Sequence, residues 1–246
     1  MSTDFIRETA NKTLTSQSWL NQRMIKSLNY QPTEHIMEIA RSWYEGDDTE
    51  LANDFDVATL TVDGDGDGAE VIKVTTTPGK LTLTTNDKAS DACGIQTNRA
   101  SFYRARNPRL EAAVTLGRVD AGEFHFGLYK DADEYAMVYF DKSASANWYL
   151  RVADTTAEET SDLGVAATTD QIQITLEISD GTNSNWAGAA GTVHVWLNGT
   201  KIDVSGDIAN LLTADGHYMR MYAITEDSAT YTATCESLTC ICNIAG

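Results

Sequence analysis

The chain has 246 residues, of which 18 are Lys or Arg and 36 are Asp or Glu, giving a formal net charge of −18. That balance excludes nucleic acid as the main partner, because phosphate binding needs clustered basic groups, and it excludes docking on anionic lipid. The longest apolar run, Tyr135 to Phe140, is six residues, whereas a membrane-spanning helix needs about 20.

Residues 1–45 carry the helical patterns. Trp19, Leu20, Met24 and Leu28 fall at helical spacing, and Ile36, Ile39, Ala40 and Trp43 form an i, i+3, i+4, i+7 stripe. Thr33 after Pro32 suits an N-cap and Gly46 a C-terminal stop. Glu34 near the start and Arg41 near the end suit the helix dipole. Each helix is too short to be stable alone in water, so the arm is expected to pack on the chain's own β-domain or on another subunit. No charged-then-apolar leader opens the chain, so no signal peptide is expected. Glu45, Asp47, Asp48, Glu50 and Asp54 follow as an acidic junction. The expected division is a helical arm with its junction over residues 1–53 and a β-domain over 54–246.

From residue 54 the period changes to two. The first landmark is Asp63-Gly64-Asp65-Gly66-Asp67-Gly68. Alternate carboxylates followed by Gly match the first half of a Ca²⁺ loop, so Asp63, Asp65 and Asp67 are candidate metal ligands. The twelfth position of such a loop is Val74 instead of a bidentate Glu, and a polar hairpin turn is the competing reading. Strands are expected near 55–62, 69–76, 80–86, 95–105, 110–118, 123–130, 135–141, 147–153 and 171–178, the last alternating with one wet face. Val193, Val195 and Leu197 alternate up to Asn198-Gly199, and Ile202 and Val204 alternate after it. Asn-Gly between such runs predicts a hairpin on a type I′ turn, which needs φ > 0 at both positions. Strands near 217–225 and 230–244 close the chain. Many short strands without alternating helices read as an antiparallel β-sandwich.

The segment from about 55 to 244 resembles a concanavalin A-like jelly roll of a kind common in tailed-phage virion proteins. The residues that carry the resemblance come in order. Arg99-Ala100-Ser101-Phe102-Tyr103-Arg104 leads to Leu110-Glu111-Ala112-Ala113-Val114, then to Glu123-Phe124-His125-Phe126-Gly127-Leu128 and an acidic turn. Ala146-Asn147-Trp148-Tyr149-Leu150-Arg151 follows, then the Ile172–Ile178 strand, the Val193–Val204 hairpin and one closing strand. The resemblance implies an all-β antiparallel jelly roll, with the short α-helical N-terminal arm lying outside it. It also implies a structural role, as capsid decoration, head fibre or tail-associated module; the wider fold includes lectins and glucanases.

Several residues are weighed as sites. Arg99, Arg104, Arg106 and Arg109 fall within 11 residues, with no acid between Asp91 and Glu111. They can steer an acidic partner surface into register, or pair with the chain's own carboxylates. Trp148, beside Tyr149, and Trp186, in an Asn/Ser loop, are candidate sugar-stacking rings. One of Trp148 and Tyr149 must face the core. Cys93, Cys235, Cys240 and Cys242 read as reduced, buried thiols, the last two lacking the usual knuckle spacing of a zinc site. Jelly-roll glucanases place their carboxylates in a Glu-x-Asp-x-x-Glu strand pattern, which does not occur here; Asp131, Asp133 and Glu134 read as a turn. His194 alternates with Val193 and Val195 and is expected to be exposed. No enzyme is expected, and no cofactor is required beyond the Ca²⁺ that the Asp63 loop can take.

The leading expectation is a non-enzymatic phage virion protein that coats or stabilises the head and sits at the virion surface after assembly in the host cytoplasm. Trp19, Leu28, Ile36, Ile39 and Trp43 would anchor it to the major capsid protein or to a neighbouring copy. A homo-oligomer is expected, with a trimer favoured by jelly-roll habit. The alternative is a carbohydrate-binding adhesion module on a head fibre or tail, with a host glycan as partner.

Overall fold

The computed structural model describes residues 35–41, 55–56, 73–77, 80–85, 88–155, 157–181, 189–227 and 229–244. Contacts divide the chain into two units, residues 1–36 with 244–246 and residues 37–243. Nearly all described residues belong to the second.

The strands in chain order are β1 (His35–Arg41), β2 (Phe55–Asp56), β3 (Lys73–Thr77), β4 (Lys80–Thr84), β5 (Ala92–Thr97), β6 (Phe102–Tyr103), β7 (Arg109–Leu116) and β8 (Glu123–Asp131). They continue as β9 (Glu134–Asp141), β10 (Asn147–Ala153), β11 (Glu158–Ala166), β12 (Ile172–Ile178), β13 (Val193–Leu197), β14 (Thr200–Ile202), β15 (Gly216–Ile224) and β16 (Thr232–Ile244). Two eight-stranded sheets result. The first runs β14-β13-β12-β7-β16-β4-β3, with β1 also paired to β16; the second runs β11-β10-β9-β8-β15-β5-β2, with β6 also paired to β15. The ladders β8–β9, β8–β15, β7–β12 and β7–β16 are antiparallel.

Period-two alternation decides which side of each strand is buried. Phe124, Phe126, Leu128, Val138, Phe140, Leu150, Val152, Met219 and Met221 of the second sheet join Leu83, Leu110, Val114, Ile174, Leu176 and Val195 of the first in one core. Each such side chain contributes roughly 1.5–3 kcal/mol on burial. A one-residue slip would turn a whole strand inside out, so the register is firmly set. Cys93, Cys235 and Cys240 are buried free thiols, and burial pushes the Cys93 thiol up to about 12. The side chain of Cys242 lies outside the described residues.

The Asn198-Gly199 hairpin forms as expected, with φ of 50° and 77° and Leu197 facing Thr200. The expected helix around Ile36 and Ile39 does not: residues 35–41 are strand β1. Its stripe does not discriminate, because Met37 breaks the polar side of the pattern. Strand β16 runs well past its pairing with β4, which ends at Cys235, and backbone groups left to satisfy favour an extended neighbour. Trp19, Leu28 and Trp43 lie outside the described residues, as do Asp63, Asp65, Asp67 and Trp186. Strand β11 was not expected. It is an edge strand with few inward residues, Ser161 and Leu163 among them, so its sequence shows little apolar alternation.

Candidate functional site

The outer face of the second sheet collects the residues that its core-facing neighbours leave behind. Register lines them up in rows across the strands. One row reads Gly94, Tyr222, His125, Tyr139, Tyr149, Asp162 from β5 to β11. The next reads Gln96, Arg220, Gly127, Met137, Arg151, Thr160. A third holds Tyr218, Tyr129, Tyr135, Ala153 and Glu158. Rows lie about 7 Å apart along the strands, and strands about 4.8 Å apart.

The first row is a stack. Tyr222 and His125 have ring centroids 4.3 Å apart at 6°, His125 and Tyr139 5.5 Å at 15°, and Tyr139 and Tyr149 5.4 Å at 30°. Rings spaced at the strand repeat and nearly parallel stand upright on the sheet. His125 and Tyr139 are buried; Tyr222 and Tyr149 are half-buried. Gly94, next in the row, places no side chain against the far face of Tyr222. Glycine is required there, because a Cβ would lie 2.3 Å from the Met221 carbonyl oxygen.

Charge is laid over these rings. The Arg151 guanidinium lies 4.4 Å from the Tyr139 ring centroid and 3.3 Å from Glu158. Tyr135 donates its hydroxyl hydrogen to Glu158. The Arg220 guanidinium lies 3.3 Å from the Tyr129 centroid. Its Nε and Nη2 donate to Gln96 Oε1 at 2.9 and 2.5 Å. Burial pushes His125 below the usual imidazole range, opposed by its 2.8 Å contact with Glu123. At one end of the face Glu123, Asp141 and Glu226 bring carboxylate oxygens within 4.8 Å of one another. That spacing suits a hard, oxygen-seeking cation, although each carboxylate already accepts a hydrogen bond within the protein: from His125, from Ser143 and from the Gly122 amide.

No protein-family model and no curated protein matches the chain. Solved structures do. A protein of unknown function from Shewanella oneidensis MR-1 superposes with a TM-score of 0.61 at 9% identity, over 93% of this chain and 95% of that one. The CBM2 module of the evolved Dit of Lactobacillus casei BL23 phage J-1 gives 0.56 at 8%, over 87% and 99%. The carbohydrate recognition domain of Emp46p, in its potassium-bound form, gives 0.54 at 8%, over 81% and 94%. These likenesses establish the fold. It is a two-sheet β-sandwich, consistent with the concanavalin A-like pattern of the sequence.

The residues singled out in the sequence lie elsewhere. Trp148 is 1% exposed and packs on Phe124 and Phe140 with centroids 6.1 and 6.0 Å away, so it offers no stacking face. Its neighbour Tyr149 is the outward ring. The four arginines divide. Arg109 pairs with Glu111 at 2.7 Å and Glu177 at 3.0 Å on the outer face of the first sheet. Arg104 donates to the Leu212 carbonyl, Arg106 lies over the Tyr103 ring, and Arg99 is exposed.

His194 is buried, a correction to its expected exposure: it faces Glu177 in register and contacts Trp196. The wet face expected for β12 is likewise covered, since Thr175 and Glu177 are buried. Glu134, expected in an open turn, is buried too. Lys130 and His217 approach it at 2.9 Å, and Thr213 donates to it. Burial would raise its pKa, but these donors hold it below the usual carboxylate range.

The tyrosine row was missed. Its signal was present as same-face tyrosines four residues apart, Tyr135 with Tyr139 and Tyr218 with Tyr222, but pairing between strands, invisible in one segment, sets them side by side.

Proposed function

We propose that the chain is a glycan-binding β-sandwich module of an adhesive phage structural protein, holding sugar on the outer face of the second sheet without cleaving it. The observation that carries this reading is the Tyr222–His125–Tyr139–Tyr149 stack, which ends beside Gly94 with no further ring among the described residues. A sugar ring has an apolar C–H face and a polar rim. The Tyr222 face suits the first, while Gln96, Arg220 and the tyrosine hydroxyls suit the second. Likeness in fold to a phage carbohydrate-binding module and to a carbohydrate recognition domain supports the reading at the level of architecture only. The charged groups of the face are held in place by hydrogen bonds, ion pairs and rings of the protein, an arrangement that favours holding over proton transfer.

The test is a glycan array with the full chain, repeated with Tyr222→Ala. Binding is expected for the native chain and an affinity loss of about tenfold for the variant, or about 1.4 kcal/mol. No glycan bound, or binding indifferent to Tyr222, would sink the proposal, and released sugar in the same incubations would make the chain an enzyme. The virion setting belongs to the proposal and is tested by mass spectrometry of native particles. Many copies per particle would favour a coat on the head, and a few a tail or fibre. None would remove the phage from the proposal.

A further inference from the structure

Four cationic side chains of the described sandwich pair with carboxylates. Arg109 has Glu111 and Glu177, Arg118 has Asp120 and Asp227, Lys130 has Glu134 and Asp215, and Arg151 has Glu158. Arg104, on the Leu212 carbonyl, and Arg106, over the Tyr103 ring, have no carboxylate partner among the described residues, and neither does Arg220. Its hydrogen-bond partner is a neutral amide, Gln96, and its stacking partner a phenol ring, Tyr129. Among the described residues no carboxylate pairs with it. Of these three half-buried guanidiniums, only Arg220 stands in a strand of the sheet that carries the tyrosine row. Taking a charge out of water costs free energy that is recovered only by a partner, and an amide and a ring recover part of it.

The geometry leaves the guanidinium usable. Gln96 takes the Nε–Nη2 edge, and Tyr129 takes one face. The end edge, Nη1 with the second Nη2 hydrogen, has no carboxylate partner among the described residues and presents two parallel donors of the kind that grip an oxyanion in bidentate fashion. Gln96 and Arg220 sit on the same two strands as Gly94 and Tyr222, one row along. Tyr222 and Arg220 are therefore about 7 Å apart at the backbone, a separation that a sugar ring and its charged substituent can bridge.

We propose that Arg220, held by Gln96, is an oxyanion subsite, and that the ligand of this face is an acidic glycan bearing a carboxylate or sulfate. This rests on the glycan-binding reading above and narrows its ligand class.

The experiment uses the full chain, its Arg220→Gln and Arg220→Lys variants, and Gln96→Glu. The last is nearly isosteric and gives Arg220 a carboxylate of its own. Each is tested on an array of neutral, uronate-bearing, sialylated and sulfated glycans. In parallel, sodium sulfate is titrated into the protein while the Arg220 Nε–H resonance is followed by NMR. Acidic glycans should bind at least tenfold more tightly than their neutral counterparts. Gln96→Glu and Arg220→Gln should erase that preference, and Arg220→Lys should keep part of it. Circular dichroism and melting of Gln96→Glu check that the sandwich is intact.

Binding of neutral glycans with no acidic preference would overturn the subsite and leave the glycan reading standing. Sulfate perturbing Arg220 with no glycan bound would keep the subsite and overturn the glycan reading. Silence in both would overturn both.

Discussion

His125 and Tyr222 lie ring on ring, 4.3 Å apart and 6° from parallel, on neighbouring strands. Burial lowers the His125 pKa, against the pull of Glu123, so the imidazole stays neutral in the stack. Burial also lowers His194, to about 4, helped by nearby Lys201. In the unfolded chain both would take up protons near 6.5. The unfolded state then binds more protons than the folded one, and stability falls as pH drops from about 6.5 toward the folded pKa. The expected result is a lower urea midpoint at pH 5 than at pH 7, with a smaller drop in His194→Gln. By NMR neither ring should titrate at or above 6.5, and a ring that did so would contradict its burial.

Arg109 has the opposite pH signature. Burial raises the Glu111 and Glu177 pKa values, and Arg109 holds them back. A raised carboxyl keeps protons that the unfolded chain releases above about 4.5, so this contribution to stability falls as pH rises. Arg109→Met leaves two buried carboxylates without their cation. A loss of about 3–5 kcal/mol at pH 7 is expected, with part of it regained at pH 5 as the acids protonate. Urea unfolding at both pH values measures it; equal losses would show that the acids are not titrating.

The legible part of this molecule was local. Asn198-Gly199 declares its turn because two positive φ values need those residue types. Strands β8 and β12 declare themselves by period two. What could not be read was set by partners far along the chain. His194 and Glu177 look like wet-face residues within their own strands, yet they cover each other across the β12–β13 ladder. Tyr149, not Trp148, is the outward ring, a choice of phase that the pair alone leaves open. The aromatic row joins β8, β9 and β10, which are consecutive in sequence, with β15, which reaches β8 only by a crossover.

Trp148 belongs to the core, and its removal should behave accordingly. Trp148→Ala is expected to cost about 3–5 kcal/mol, through lost burial and the cavity left beside Phe124 and Phe140. Trp148→Phe should cost less, and at a temperature where it remains folded it should bind glycan as the native chain does. A large affinity loss in folded Trp148→Phe would instead make Trp148 part of the binding site.

Gly127 ties the fold to the face. A Cβ there would lie 2.1 Å from the Ala136 carbonyl oxygen and 2.8 Å from the Met137 Cα, both backbone atoms of β9. Neither can swing aside, so Gly127→Ala must push β8 and β9 apart, at about 1–3 kcal/mol for such overpacking. His125 and Tyr139 face each other across that same ladder, and widening it opens their 5.5 Å stack. The expected result is a lower melting temperature together with weaker glycan binding measured well below it. Gly199→Ala is the control. It meets nothing within 4 Å but has φ of +77°, so it should lose roughly 1 kcal/mol or more of stability with binding unchanged. Equal binding by both variants would mean that the stack does not depend on the β8–β9 spacing.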